Sequence, residues 1–457
     1  MQTFFSPKSV AVIGASRDPN KLGYIVFSNF VNNNFKHLYP INPNADEILG
    51  RKCYKSVLDV KDDIDLAVII IPVKSVLQAL SECIKKKVKS VVIITSGFSE
   101  TGEEGKKLED ELKQILQKTK TRVIGPNCIG IYDAYSGVDT LFLSRERCMR
   151  PAKGNISFIT QSGAVGSTIL DVFYENKIGI SKFVSYGNGM DVTETDLIEF
   201  LGKDNKTKVI IAYLEGLKDN GSKFMKVAKK VTRKKPVIVL KAGKSSKGMQ
   251  AVSSHTGSLA GQAQIYSAAF KQSGILEASN WEELQDYAMM LSTQSLPKSN
   301  RLAIITDGGG FGVLATDEAE RLGFALPEPS EMLKSKLKSK MPGYVSLKNP
   351  IDLTGDADAE RYKTAINACL SSNEYDLVLI ISLFQVPTLS EKVVNYIKEA
   401  KKFKKPIAVC SVGSNFSQTQ NMMLMKEGIP VYPSPERAVK ALKSLLLYKN
   451  TKRFAIF

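Results

Sequence analysis

The sequence is poor in the residues that most often carry chemistry. Its 457 residues include only two histidines, His37 and His255, so a mechanism needing a histidine pair from this chain must use both. The six cysteines (Cys53, Cys83, Cys128, Cys148, Cys369 and Cys410) form no C-x-x-C and no close pair. That argues against a zinc site and a disulfide framework, and it fits a cytoplasmic location. Long apolar stretches are missing as well. The run Leu66–Val73 falls far short of the about 20 residues that a bilayer-spanning helix needs, so no membrane association is expected. The N-terminal MQTFFSPKSV meets a proline before an apolar signal region can develop.

Two nucleotide signatures are absent. VAVIGAS (10–16) lacks G-x-G-x-x-G, and the second predicted strand runs into Asn42-Pro43 instead of an acidic residue, which disfavours NAD although Asp46 stands near. GKSS (243–246) is not a P-loop, because the required upstream glycine is Ile238.

What is present is ordinary globular composition, 43% hydrophobic and 24% charged, at a length that suggests about three domains. The 63 Lys and Arg against 46 Asp and Glu give a net charge of +17. Lysines gather at 85–87, 229–235 and 401–405, each at the end of a predicted helix, where cations complement the helix dipole. No aromatic-rich basic stripe, zinc-finger spacing or RNA-recognition signature accompanies them, so nucleic acid is not expected as a partner. A polyanionic small molecule or an acidic protein suits the basic surface better.

Short β-branched runs alternate with helical patterns, the signature of parallel α/β architecture. Strands are predicted at 9–13, 38–41, 66–71, 90–95 and 122–124, with a helix from about Lys21; this is a Rossmann-like unit ending near Gly130. The rest contains an internal repeat. NISFITQSGAVGSTILD (155–171) and RLAIITDGGGFGVLATD (301–317) align at an offset of 146, and KKPVIVLKAG (234–243) aligns with KKPIAVCSVG (404–413) at 170. Extra loop in the second copy is therefore expected, around PEPSEMLKSKLKSKMPGY. Charged or polar stretches at 144–154 and 295–300 mark boundaries, giving domains over 1–143, 144–298 and 299–457.

In each repeat a strand enters a small Gly-rich turn that opens a helix: Gln161, Ser162 and Gly163 in one, Gly308, Gly309 and Gly310 in the other. Such turns present backbone N–H groups and a positive dipole end to an anion, and two copies in one chain favour phosphate binding over a plain tight turn. His255 lies in SSHTGSLAG (253–261), read as a loop of small residues that leaves the imidazole accessible as a nucleophile. Glu215, after the predicted strand 209–214, could orient the ring. His37 precedes a strand and reads as structural.

Together these segments resemble the α subunit of the ADP-forming (NDP-forming) acyl-CoA synthetases, acetate–CoA ligase being the type activity, within the succinyl-CoA synthetase superfamily. KAGKSSKGMQAVSSHTGSLAG (241–261) resembles the phosphohistidine loop, GPNCIG (125–130) the CoA-thiol segment, and ITQSGAVG (159–166) the phosphate-binding helix start. TDGGGFGVLATD and NPIDLTGDA (349–357) resemble the portion that succinyl-CoA synthetase carries at the end of its β subunit. The resemblance implies an α/β protein with an N-terminal Rossmann-like CoA-binding domain followed by two flavodoxin-like domains. It implies CoA or acyl-CoA held by Gly14, Ala15, Ser16, Lys21, Asn42, Pro43, Ile71, Pro72, Thr95, Ser96, Gly97, Pro126 and Asn127. It further implies phosphorolysis of the thioester to an acyl phosphate between two helix starts, with His255 accepting the phosphoryl group and Glu215 holding its ring. No ATP-grasp portion is present and no metal site is expected in this chain. ADP or GDP with Mg2+ would therefore sit on a separate β subunit, in the α2β2 assembly usual for the family. A non-catalytic CoA-binding sensor is the alternative; it would need neither His255 nor Glu215.

Overall fold

The computed structural model describes the backbone of residues 1–256 and 263–454 and the side chains of residues 1–252 and 263–452. It divides into two compact units, Met1–Glu277 and Ala278–Phe457.

The first unit contains two sheets. Strands β1 (Ser9–Ile13), β2 (His37–Ile41), β3 (Leu66–Ile69), β4 (Ser90–Ile93) and β5 (Arg122–Ile124) form a parallel sheet in the order β2-β1-β3-β4-β5. β1, β3 and β4 are buried at every position, as near-continuous Val and Ile runs require when helices cover both faces. Helix α1 (Leu22–Asn32) follows β1 across a turn.

The second sheet comprises β6 (Gly130–Asp133), β7 (Lys153–Thr160), β8 (Ile180–Ser185), β9 (Val209–Leu214), β10 (Val237–Lys241) and β11 (Leu276–Ala278), in the order β11-β10-β9-β7-β8-β6. β6 pairs antiparallel with β8, Gly130 opposite Ser185. Sequence reading kept this stretch with the first domain. The reversal turns on Gly130, at φ +111°, whose missing Cβ leaves room for Thr140, and the strand covers the edge that β8 would otherwise expose. Helix α2 (Gly163–Glu175) follows β7, and helix α3 (Ser246–Thr256) follows β10.

The second unit opens with helix α4 (Trp281–Thr293) and holds β12 (Leu302–Thr306), β13 (Ile351–Asp352), β14 (Leu377–Ile381), β15 (Ile407–Cys410) and β16 (Val431–Tyr432). All are parallel, in the order β13-β12-β14-β15-β16. This is the winding of β8-β7-β9-β10-β11, so the sequence repeat is a repeat of topology. Helix α5 (Gly309–Arg321) stands where α2 stands, and the extra length of the second copy contains helix α6 (Glu331–Lys338). Helix α7 (Pro435–Phe454) ends the described chain and packs on α4. Arg437 joins them, its Nε and Nη2 donating to the Asp286 carboxylate at 2.7 and 2.8 Å. That pairing draws α4 into the second unit, so the structural division falls before the 298/299 boundary expected from sequence. Among the described residues no helix is long and apolar enough to cross a membrane.

Candidate active site

In the first sheet the chain leaves β1 toward β2 on one side and later adds β3 on the other. A crevice opens where the winding reverses, at the carboxyl ends of the strands. A cavity of about 590 Å³ occupies that position. Seven of the residues expected to hold CoA line it: Gly14, Lys21, Ile71, Pro72, Thr95, Ser96 and Asn127. So do Gln161, Ser162 and Gly163, expected to bind phosphate. Ala15, Ser16, Asn42, Pro43, Gly97 and Pro126 are not among its walls. Asn42 instead braces the turn, its Nδ2 donating to the Ala15 carbonyl at 2.7 Å.

The cavity depends on backbone approach at two glycines. Gly14 has φ +97°, and a Cβ there would lie 2.2 Å from the Ile70 carbonyl oxygen. A Cβ on Gly23 would lie 1.9 Å from the Gly14 carbonyl oxygen, so α1 can start this close to β1 only with glycine at that position. Thr95 ties the ends of two strands together: its hydroxyl donates to the Ile71 carbonyl at 2.7 Å and accepts from the Ile71 N–H at 3.3 Å. Sequence reasoning missed Gly23 and the apolar walls Ile94, Ile129 and Phe142. Only Gly23 left a signal, a second glycine at the helix start. Cys128 also lines the cavity, and burial pushes its thiol up to about 12, which disfavours the thiolate that a nucleophile needs.

The phosphate-type turn is built at the end of β7. The Thr160 hydroxyl donates to the Ser162 carbonyl at 2.8 Å, and the Ser162 hydroxyl caps α2 by accepting from the Val165 N–H at 3.3 Å. The first-turn N–H groups of α2 have no intrahelical acceptor, and Gly163 and Ala164 line the cavity. Gly163 packs against Ile129; a Cβ would stand 2.6 Å from its Cγ2.

The Gln161 side chain turns away from this helix start and toward β9. Its Oε1 accepts from the N–H groups of Glu215 and Gly216, and its Nε2 donates to the Gly216 carbonyl at 3.0 Å. Glu215 is 5% exposed at the end of β9, immediately beside the turn. Lys241, at the end of β10, donates to the Glu215 carbonyl at 2.9 Å and lies 4.6 Å over the Tyr266 ring. Burial holds its ammonium below the ordinary lysine range and pushes the Tyr213 phenol up to about 12.

The second unit repeats the construction at β12. The Thr306 hydroxyl donates to the Gly308 carbonyl at 2.9 Å, and Asp307 replaces Gln161, its two oxygens each 3.1 Å from the Leu383 N–H beyond β14. In both copies the side chain at the end of the first strand holds the backbone just past the third. Burial pushes the Asp307 carboxyl up to about 6. Gly308, Gly309 and Gly310 form the start of α5, where a Cβ on Gly309 would be 2.9 Å from Asp352 Oδ2.

His255 falls within the bounds of α3, where sequence reading placed a loop. The helix formers Lys247, Met249, Gln250 and Ala251 carry it, and the Ser245 hydroxyl accepts from the Gly248 N–H at 3.0 Å at its start. The His255 side chain lies outside the described residues.

Comparison with known proteins gives the family. A CoA binding domain family matches residues 8–134, a succinyl-CoA ligase like flavodoxin domain 153–291 and a ligase-CoA domain 302–451. The α subunit of acetate–CoA ligase [ADP-forming] II from Pyrococcus furiosus is 43% identical over 451 residues, covering 97% of this chain and 96% of that one. The chain belongs to the ADP-forming acetate–CoA ligase family. Within this family, acetate–CoA ligase [ADP-forming] of Methanocaldococcus jannaschii is 45% identical over 98% of this chain, which spans 63% of that longer polypeptide. A solved structure of dinucleotide-forming acetyl-coenzyme A synthetase 1 from Ca. Korarchaeum cryptofilum, in complex with phosphate and ADP, matches with a TM-score of 0.93 at 39% identity. It covers 100% of this chain and 98% of that one.

Proposed function

We propose that this α subunit binds CoA thioesters in the crevice beside β1, with the thioester directed at the start of α2, and passes a phosphoryl group through His255. The observation that carries this reading is that one cavity is walled both by the β1, β3 and β4 loops and by Ser162 and Gly163. A CoA-binding surface and an anion-binding helix start thus face the same space.

Phosphate attacks the thioester carbonyl; the C–S bond breaks, leaving an acyl phosphate and the CoA thiol. The first-turn N–H groups of α2 stabilise the phosphoryl oxygens without reorganisation. The His255 imidazole takes the phosphoryl group and releases the carboxylate. Glu215, its backbone held by Gln161 and Lys241, balances the positive charge that develops on the ring. Gly308, Gly309 and Gly310 supply a second phosphate-binding helix start. ADP with Mg2+ then receives the phosphoryl group on a separate ATP-grasp β subunit, in an α2β2 cytoplasmic assembly. That over a third of the M. jannaschii polypeptide lies outside the part this chain matches supports the need for such a partner.

The test is incubation with labelled phosphate and acetyl-CoA in the presence of the β subunit. Acid-labile label on His255, lost in His255→Ala while CoA affinity stays nearly intact, is expected. Normal turnover by His255→Ala, or robust ATP synthesis by the isolated chain, would overturn the assignment.

A further inference from the structure

The loop after β8, residues 186–192 (YGNGMDV), leaves the second sheet and runs beside the segment that ends the first. The N–H groups of Asn188, Met190 and Val192 donate to the carbonyls of Pro126 (3.0 Å), Gly125 (3.2 Å) and Val123 (3.1 Å). Gly187 and Gly189 have φ of +52° and +63°, and a Cβ on Gly187 would lie 2.2 Å from the Asn127 carbonyl oxygen. Glycine is needed for the loop to lie this close.

Between the two glycines stands Asn188, 9% exposed. Its Oδ1 accepts from Asn127 Nδ2 at 3.2 Å. Its Nδ2 donates to Glu100 Oε2 at 2.6 Å and Glu109 Oε2 at 2.9 Å, with Ser99 Oγ 3.1 Å away. Glu100 continues the chain of bonds, its Oε1 accepting from the N–H groups of Gly97 at 2.6 Å and Phe98 at 3.1 Å. The Asn188 amide thereby adds a side-chain link between two segments at the cavity wall, Asn127–Ile129 and Thr95–Ser96, which the backbone joins once, by the Asn127 N–H donating to the Thr95 carbonyl at 3.0 Å. The neutral amide suits the place: it gives one acceptor to Asn127 and its donors to two carboxylates, whereas an aspartate would set a third anion beside Glu100 and Glu109.

We infer that Asn188 is a positioning residue for the thioester end of the CoA cavity, holding Asn127 and the 95–97 turn in mutual register. The inference rests on the CoA reading proposed above. Asn188 does not line the cavity and acts through Asn127 and Glu100.

Two phosphorylations of His255 separate this role from a merely structural one: from acetyl-CoA plus phosphate, and from ATP through the β subunit. Misplacement by about an ångström costs on the order of a hundredfold in a positioned reaction. In Asn188→Ala, and more severely in Asn188→Asp, the acetyl-CoA-driven rate is expected to fall by about ten- to a hundredfold, while the ATP-driven rate stays within about twofold. Adding Glu109→Gln to Asn188→Asp exchanges donor and acceptor and is expected to recover much of the loss. Should Asn188→Ala fail to fold, Asn188→Ser, which keeps a hydroxyl donor, serves the same comparison. Equal loss of both rates, or no loss, overturns the inference while leaving the CoA reading intact. Wild-type protein that takes no label from acetyl-CoA overturns both.

Discussion

Gln161 and Gly216 exchange two hydrogen bonds: Nε2 donates to the Gly216 carbonyl at 3.0 Å, and the Gly216 N–H donates to Oε1 at 3.1 Å. Gln161 is 8% exposed, so both bonds are made largely away from solvent. In Gln161→Leu the Glu215–Gly216 backbone loses its latch, and each buried polar group left unpaired costs about 1–3 kcal/mol. Labelling of His255 is expected to slow by at least about tenfold. Rapid-quench labelling checks this, and an unchanged rate would separate the latch from catalysis.

Gly23→Ala probes the approach of α1 to β1. A methyl group 1.9 Å from the Gly14 carbonyl oxygen forces the turn apart. Overpacking of this kind costs about 1–3 kcal/mol. CoA affinity, measured by calorimetry on the whole chain, is expected to drop at least about tenfold, since Gly14 and Lys21 both move.

Arg437→Met tests what fastens α4 to the second unit. Asp286 is 5% exposed, and burial already raises its pKa despite the guanidinium beside it. Removing the arginine strands a buried carboxylate, which costs about 3–5 kcal/mol. Adding Asp286→Leu should return most of that stability in urea unfolding; failure to do so would place the cost elsewhere.

Asp307 makes stability of the second unit depend on pH. Its carboxyl titrates near 3.8 when unfolded and at about 6 when folded, because burial disfavours the anion. The cost is absent below about pH 4, grows as pH rises between the two values, and is complete above about pH 6. Asp307→Asn keeps an acceptor for the Leu383 N–H, so it should stabilise by up to about 3 kcal/mol at pH 7 and by little at pH 4. Urea midpoints at both values provide the comparison.

Much of the architecture was legible because it is periodic. Unbroken Val and Ile runs identify β1, β3 and β4, and matched strings such as ITQSGAVG and ITDGGGFG reveal the repeated turn. Gly14, Lys21, Thr95 and Asn127 were accessible through the motifs around them. The turn of Gln161 toward Gly216 was not, because side-chain direction depends on which strand lies alongside. Asn188 escaped for the same reason: its partners are 61 to 89 residues away in sequence. The GNG triplet announces a tight loop but not what the loop touches. Helix α3 was misread because its serines resemble loop composition, whereas Met249–Ala251 supply helix propensity.

The loan of β6 to the neighbouring sheet bears on how the molecule is made. Gly130–Asp133 emerges from the ribosome before β8, the strand it joins in the sheet, has been synthesised. Until Ile180–Ser185 arrives, the segment can pair only with the residues just after it, through the Asp133 N–H to the Val138 carbonyl at 2.9 Å and the Thr140 N–H to the Ile131 carbonyl at 2.9 Å. A polypeptide cut between Thr140 and Ile180 would yield two fragments, one with a hairpin that has no sheet to join and the other with an uncovered edge.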